Sequence, residues 1–96
     1  MAEDILGYVR HEILRKDAGS PPTTFVFNKR TESVMIDNLG DEPVYFRFDG
    51  TASTGSIDGF LNARSFRVFD VKIGSVSVLG SGTATPDIMC VGLYNQ

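Results

Sequence analysis

The stretch Val44-Tyr45-Phe46-Arg47-Phe48-Asp49 decides the fold class of this chain. Its first, third and fifth side chains are apolar and share one face of an extended backbone, while the other three share the opposite face. A period of two residues is typical of a β-strand that buries one face and exposes the other. The stretch therefore predicts a half-buried strand over residues 44–49.

Runs with the same period lie on both sides of this stretch, at residues 24–28, 33–37, 65–71, 75–79 and 88–94, and turn signals separate them. The run 65–71 carries apolar residues on both faces, so we expect both faces to be partly covered. The run 88–94 is apolar on both sides apart from Gly92, which predicts a central strand. We therefore expect an all-β fold, an antiparallel β-sandwich or small barrel of about six to eight short strands.

The N-terminal segment has a different period. Over residues 3–17, Ile5, Leu6, Val9 and Ile13 fall within about 100° of a helical wheel, and the Pro-Pro pair at 21–22 ends the pattern. We predict an N-terminal helical, amphipathic arm with a Pro-Pro hinge at 1–22 and a β-sandwich domain at 23–96. An isolated helix of this length is marginal in water, so these four apolar residues are the predicted partner-binding residues of the arm.

The sequence offers few groups for catalysis. His11, the only histidine, lies on the polar side of the predicted helix, and Cys90, the only cysteine, lies in an apolar run. Nucleophilic catalysis through a histidine base therefore has little support. Gly80-Ser81-Gly82 lacks the Lys-Ser/Thr pair of a phosphate-binding loop. We expect no enzymatic activity, no catalytic residues and no cofactor.

Carboxylates crowd the loop before Val44, at Asp37, Asp41 and Glu42. If Asp49 and Asp58 approached one end of the sandwich, the acidic loops would offer oxygen ligands for calcium. However, the spacing matches no EF-hand loop, and turns favour aspartate for local hydrogen bonding. We therefore expect no metal site.

Nine basic and twelve acidic residues give a net charge of −3, which argues against nucleic acid as a partner. No apolar stretch approaches the roughly 20 residues that crossing a bilayer requires, and the first residues are acidic where a signal peptide is basic. We expect a soluble protein made in a reducing cytoplasm, with no membrane partner. Four basic side chains are candidate interface charges toward an acidic partner surface: Lys29, Arg30, Arg64 and Arg67.

Four motifs follow one another in the region 33–94: Val34-Met35-Ile36-Asp37-Asn38-Leu39, Val44-Tyr45-Phe46-Arg47-Phe48-Asp49-Gly50, Gly59-Phe60-Leu61 and Gly82-Thr83-Ala84-Thr85. In this order they resemble small structural proteins of tailed bacteriophage virions, in particular head decoration or cement proteins. The resemblance is one of pattern and contains no catalytic motif. The N-terminal segment lies outside it.

The resemblance implies a virion structural protein, made in the host bacterial cytoplasm, that stabilises the head by binding the major capsid protein. It also implies a homo-oligomer, with a trimer favoured. Two alternatives stay open. One is a tail, neck or fibre accessory protein, and the other is a small carbohydrate-binding sandwich that uses Tyr45 or another exposed aromatic residue with the Asp-rich loops.

Overall fold

A computed structural model of the chain describes residues 10–94, and these form eight β-strands. Between them lie turns and loops, and the longest connection, at 49–58, joins the fourth strand to the fifth. The strands are β1 (Arg10–Asp17), β2 (Thr23–Val26), β3 (Ser33–Asn38), β4 (Val44–Phe48), β5 (Gly59–Leu61), β6 (Ser65–Phe69), β7 (Ser75–Gly80) and β8 (Asp87–Tyr94).

Four of the strand pairs are nested, from the two ends of the described chain inward. The first strand pairs with the last, β2 with β7, β3 with β6 and β4 with β5, all antiparallel. Two further antiparallel pairs, β3 with β8 and β4 with β7, join these four into two sheets. The first sheet has the order β1-β8-β3-β6 and the second β2-β7-β4-β5. This is the eight-stranded jelly-roll arrangement of a β-sandwich.

Apolar residues from both sheets fill the space between them. Phe25 and Phe46 of the second sheet are buried, as are Ile36 and Cys90 of the first. Phe69 comes from the edge of the first sheet, and its ring centroid lies 5.2 Å from that of Phe46. Aromatic rings at this separation add to the stability that burial gives. The phenylalanine-rich alternation of the sequence thus supplies the core.

The structure confirms the all-β fold and its two antiparallel sheets. The stretch that predicts a half-buried strand forms β4, in which Val44 and Phe46 are buried while Tyr45 and Arg47 are partly exposed. The last run forms β8, which lies between β1 and β3 in the first sheet. The expectation that it is central is therefore confirmed.

The structure shows no helical arm in its described residues. Arg10–Asp17 forms β1, which pairs residue by residue with β8 from Arg10 opposite Tyr94 to Asp17 opposite Asp87. The prediction of helix was wrong here because pairing with β8 outweighs the intrinsic helix preference of Glu, Leu, Arg and Lys. Ile5, Leu6 and Val9 lie outside the described residues. From Arg10 to Tyr94 the structure contains no helix of the length and apolar character that spanning a membrane requires.

The segment around the Pro-Pro pair connects the first sheet to the second. Ala18 is buried and its backbone N–H donates to the carbonyl of Pro86 at 2.9 Å. The carbonyl of Gly19 accepts a hydrogen bond of 2.9 Å from the N–H of Gly80. The residues just before Pro21 are thus hydrogen-bonded to the loop and strand beside them.

Candidate interaction surfaces

An apolar row crosses the outer face of the first sheet. In the strand register, Ile13 lies opposite Val91, Val91 opposite Met35, and Met35 opposite Val68. We call these four residues the apolar row. Its two ends are the more exposed members, because Ile13 is 55 % exposed and Val68 46 % exposed. Each of the four strands contributes one residue, so the row runs from one edge of the sheet to the other.

A second row lies two residues further along the same face. It contains Arg15, Met89, Asp37 and Phe66, in that order across the sheet. Phe66 is 61 % exposed and lies on β6 beside Val68. A cluster of large exposed apolar residues at one sheet edge is a feature of interaction sites. The outer side of β6 is therefore the strongest candidate interaction surface in the described part of the chain.

The two edges of the first sheet add backbone groups to this surface. β1 and β6 are the outermost strands, and no other described strand pairs with the far side of either. An edge strand presents unpaired N–H and C=O groups that can pair with another chain. In β6 these groups lie beside Phe66 and Val68, so backbone pairing and apolar contact can occur at the same place.

A smaller apolar patch lies on the outer face of the second sheet. Tyr45 lies between Leu79 and Phe60 in the register, and Phe60 is 54 % exposed. Beside it, Tyr45, Thr54 and Ile57 line a cleft of about 150 Å³. This volume is below the usual range for small-molecule sites. The patch offers an exposed aromatic ring and a shallow hollow.

A second cleft, of about 320 Å³, is lined by His11, Glu12, Asn28, Lys29 and Tyr94. The Glu12 carboxylate accepts hydrogen bonds from the Tyr94 hydroxyl at 2.7 Å and from the backbone N–H of Asn28 at 2.9 Å. Burial, and then the hydrogen bond to Glu12, raise the pKa of Tyr94. The Lys29 ammonium lies 5.3 Å from the centre of the Tyr94 ring. These contacts tie β1 and β8 to the β2–β3 connection.

The four predicted interface charges fall into two separate pairs. Lys29 and Arg30 lie in the connection that leads into β3, where Arg30 donates to the carbonyl of Lys72. Arg64 lies beyond the other end of β3, where its backbone N–H donates to the carbonyl of Gly40 at 3.2 Å. Its side chain pairs with Asp41 at 2.6 Å. Arg67 is on β6, with its guanidinium 5.0 Å from the ring centre of Phe69. The structure does not bring the four together.

Carboxylates in the acidic loops accept hydrogen bonds from backbone N–H groups nearby. The Asp49 carboxylate accepts hydrogen bonds from the backbone N–H groups of Gly74 at 2.8 Å and Ser75 at 3.1 Å. Asp58 accepts one from the N–H of Phe48 at 2.7 Å. Within residues 10–94 no group of three or more histidine, cysteine, aspartate or glutamate side chains is placed to hold a metal ion.

Cys90 is a buried core residue. It lies on the inner face of β8, opposite Leu14 on one side and Ile36 on the other. Burial raises the pKa of its thiol to about 12, so the thiol stays protonated near neutral pH. Its environment is the apolar one that the sequence around it predicts.

Of the arm residues, only Ile13 lies within the described residues. It is exposed at one end of the apolar row, while its neighbour Leu14 points to the inner face and packs against the core. Phe66 and Val68 were not among the predicted interface residues. The sequence does carry a signal for them. The run 65–71 is apolar on both faces, whereas an edge strand with one buried face needs apolar residues on that face only, so the extra apolar residues point to a contact on the other face.

Comparisons with solved structures include a chain that is similar over most of its length. A chain from a solved structure of Bacillus endospore appendages, described as a novel family of disulfide-linked pili, aligns with 88 % of this chain and 86 % of its own length. The two share 16 % sequence identity, with a TM-score of 0.47. No protein-family model matches the sequence, and no curated protein matches it.

Proposed function

We propose that this protein is a non-enzymatic structural subunit that works by assembling with other protein subunits. In its specific form, the proposal is a decoration or cement subunit on the head of a tailed bacteriophage, bound to the major capsid protein. The observation that carries the assembly role is the exposed apolar surface at the edge of the first sheet, where Phe66 and Val68 lie on a strand edge that no other described strand covers.

The physical reason is the cost of leaving this surface in water. Burial of apolar area is favourable by about 25 cal/mol per Å², and a free strand edge gains hydrogen bonds when another chain covers it. A natural protein that keeps both features at one place exposes them for a partner or risks aggregation. The resemblance of the strand motifs to head decoration proteins supports the phage capsid as the setting. A homo-oligomer, with a trimer favoured, belongs to the same proposal.

Residues 1–9 keep their predicted role in partner binding through Ile5, Leu6 and Val9. Because β1 is part of the first sheet, the deletion that tests this role should end before β1 begins. Deletion of residues 1–22 would remove an entire strand and confuse folding with binding. Deletion of residues 1–9 leaves every described strand in place.

The test is association with purified particles. The chain is expressed in cells that produce the phage encoding it, and the particles are purified by density gradient. We expect the wild-type chain to co-purify with the major capsid protein at a fixed ratio, and Phe66→Ser to lower that ratio. Val26→Ser is the matched control, because Val26 is equally exposed but lies on the second sheet. A wild-type chain that stays entirely in the soluble fraction would overturn the capsid role.

The carbohydrate-binding alternative rests on Tyr45, Phe60 and the cleft beside them. Exposed aromatic rings next to hydrogen-bonding loops suit sugar faces. A glycan array with the wild-type chain and Tyr45→Ala tests it. Binding that is lost in the variant would favour this function over capsid decoration, and an array with no signal would remove it.

A further inference from the structure

We propose that β6 of one copy pairs with β1 of a second copy, so that the first sheet continues from molecule to molecule. This inference deepens the proposed function by naming a second copy of this chain as one partner. Both strands are edges of the same sheet, and both carry an exposed end of the apolar row, Val68 on β6 and Ile13 on β1.

The strand directions fit this pairing. Each neighbouring pair in the first sheet is antiparallel, so β1 and β3 run one way while β8 and β6 run the other. A second copy placed beside the first in the same orientation therefore sets its β1 antiparallel to β6. The new pair repeats the antiparallel pattern already present between the other strands, with the same spacing of about 4.8 Å.

One register continues the apolar row and matches the charges. If Val68 lies opposite Ile13 of the second copy, antiparallel pairing places Arg64 opposite Asp17. Arg64 also pairs with Asp41 of its own chain. Opposite charges that face each other across strands stabilise the pair. The same register sets Phe66 opposite Arg15, and a guanidinium beside an exposed aromatic ring is a favourable cation–π pair.

The symmetric alternative, β6 with β6 of the second copy, is less favourable in the register that sets Phe66 opposite Val68. That register places Arg67 directly against Arg67, and like charges directly opposite each other destabilise a strand pair. Compared with this register, the charge pattern favours the contact between two different edges. Repetition of such a contact closes into a ring, which includes a trimer, or continues as an open chain.

Two blocking variants test the pairing. Ile13→Lys blocks β1 and Val68→Lys blocks β6, while each variant keeps one intact edge. By multi-angle light scattering we expect the wild type to form oligomers whose mass grows with concentration, and each variant alone to stay at the monomer mass of 10.5 kDa. An equimolar mixture of the two variants should give a dimer of twice that mass. Val26→Lys, on the second sheet, should assemble like the wild type.

A charge exchange tests the register. Asp17→Arg and Arg64→Asp should each weaken self-association by about tenfold or more, and the double variant in one chain should recover it, because every contact then pairs the exchanged charges. Circular dichroism checks that each variant keeps the fold. Aspartate is tolerated at position 64, where φ is 57°.

A wild type that stays monomeric from micromolar to millimolar concentration would overturn the inference, as would a variant mixture with no dimer. Self-association is measured on the pure chain, and the proposed function is measured on purified particles. A chain that decorates particles yet never self-associates would therefore remove the strand pairing alone. A chain that self-associates but binds no particle would remove the capsid role alone.

Discussion

Asn38 is buried at the end of β3 and joins the β3–β4 loop to the β5–β6 connection. Its amide nitrogen donates to the carbonyl of Glu42 at 2.8 Å and of Asn62 at 3.2 Å, and its amide oxygen accepts from the N–H of Gly40 at 3.0 Å. Asn38→Ala leaves these groups without their partner, so we expect a loss of about 2 kcal/mol in the free energy of unfolding. Urea unfolding measures it.

The control for this prediction is Asn62→Ala, because the Asn62 side chain is exposed while its carbonyl stays in place. We expect the control to change stability by about 0.5 kcal/mol or less. Equal losses in the two variants would contradict the role assigned to the Asn38 side chain.

Asp87 makes a pH-dependent contribution to folding through its pair with Arg15. The Arg15 Nε lies 3.0 Å from a carboxylate oxygen of Asp87, and this hydrogen bond holds the pKa of Asp87 below its usual value. Because this pKa is lower in the folded state, the ionised carboxylate stabilises the fold. The stabilisation is fully present above the unfolded-state pKa of about 3.9, and it is lost as the pH falls through the folded-state pKa. Asp87→Asn should therefore lower Tm more at pH 7 than at about pH 2.

The matched background for this measurement is Arg15→Gln, which removes the partner. In that background we expect Asp87→Asn to lower Tm less at pH 7 than it does in the wild type. A loss of Tm in the wild-type background that is the same at both pH values would show that the pair is not its cause.

At the scale of the element, β1 has a structural role in the sheet, although the sequence places it in a segment predicted to bind a partner. It pairs with β8 along eight residues and carries Leu14 into the core. Deletion of residues 1–17 should therefore prevent stable folding, because it strips β8 of one neighbour and uncovers the core beneath Leu14. Deletion of residues 1–9 should leave thermal unfolding cooperative. Circular dichroism with a thermal scan distinguishes them, and an unfolded 1–9 deletion would contradict the prediction.

The elements with clear alternation could be predicted from the sequence, and the two exceptions have physical causes. β4 and β8 follow directly from their patterns, because burial on one face or both leaves a local signature. β1 does not, because its sequence by itself favours a helix. It becomes a strand only by pairing with β8, whose residues lie 70 or more positions away along the chain. The exposed side of β6 was also missed, since apolar residues on both faces look alike whether the second face is covered or open.

At the scale of the whole molecule, each sheet exposes an apolar residue at both of its edges, Val26 and Phe60 in the second sheet. Among the described residues, only the first sheet has a single apolar row that runs from one edge to the other. If copies join through β6 and β1, the folded state gains stability by mass action, because only the folded chain presents these edges. At a concentration about 100 times the dissociation constant the gain is about 2.7 kcal/mol, which for a domain of this size corresponds to a rise in Tm of roughly 10 °C or more. We therefore expect the Tm of the wild type to rise with protein concentration in scanning calorimetry, and the Tm of Val68→Lys to stay constant. Val26→Lys should follow the wild type, and a wild-type Tm that does not change with concentration would mean that the sandwich draws its stability from its own core alone.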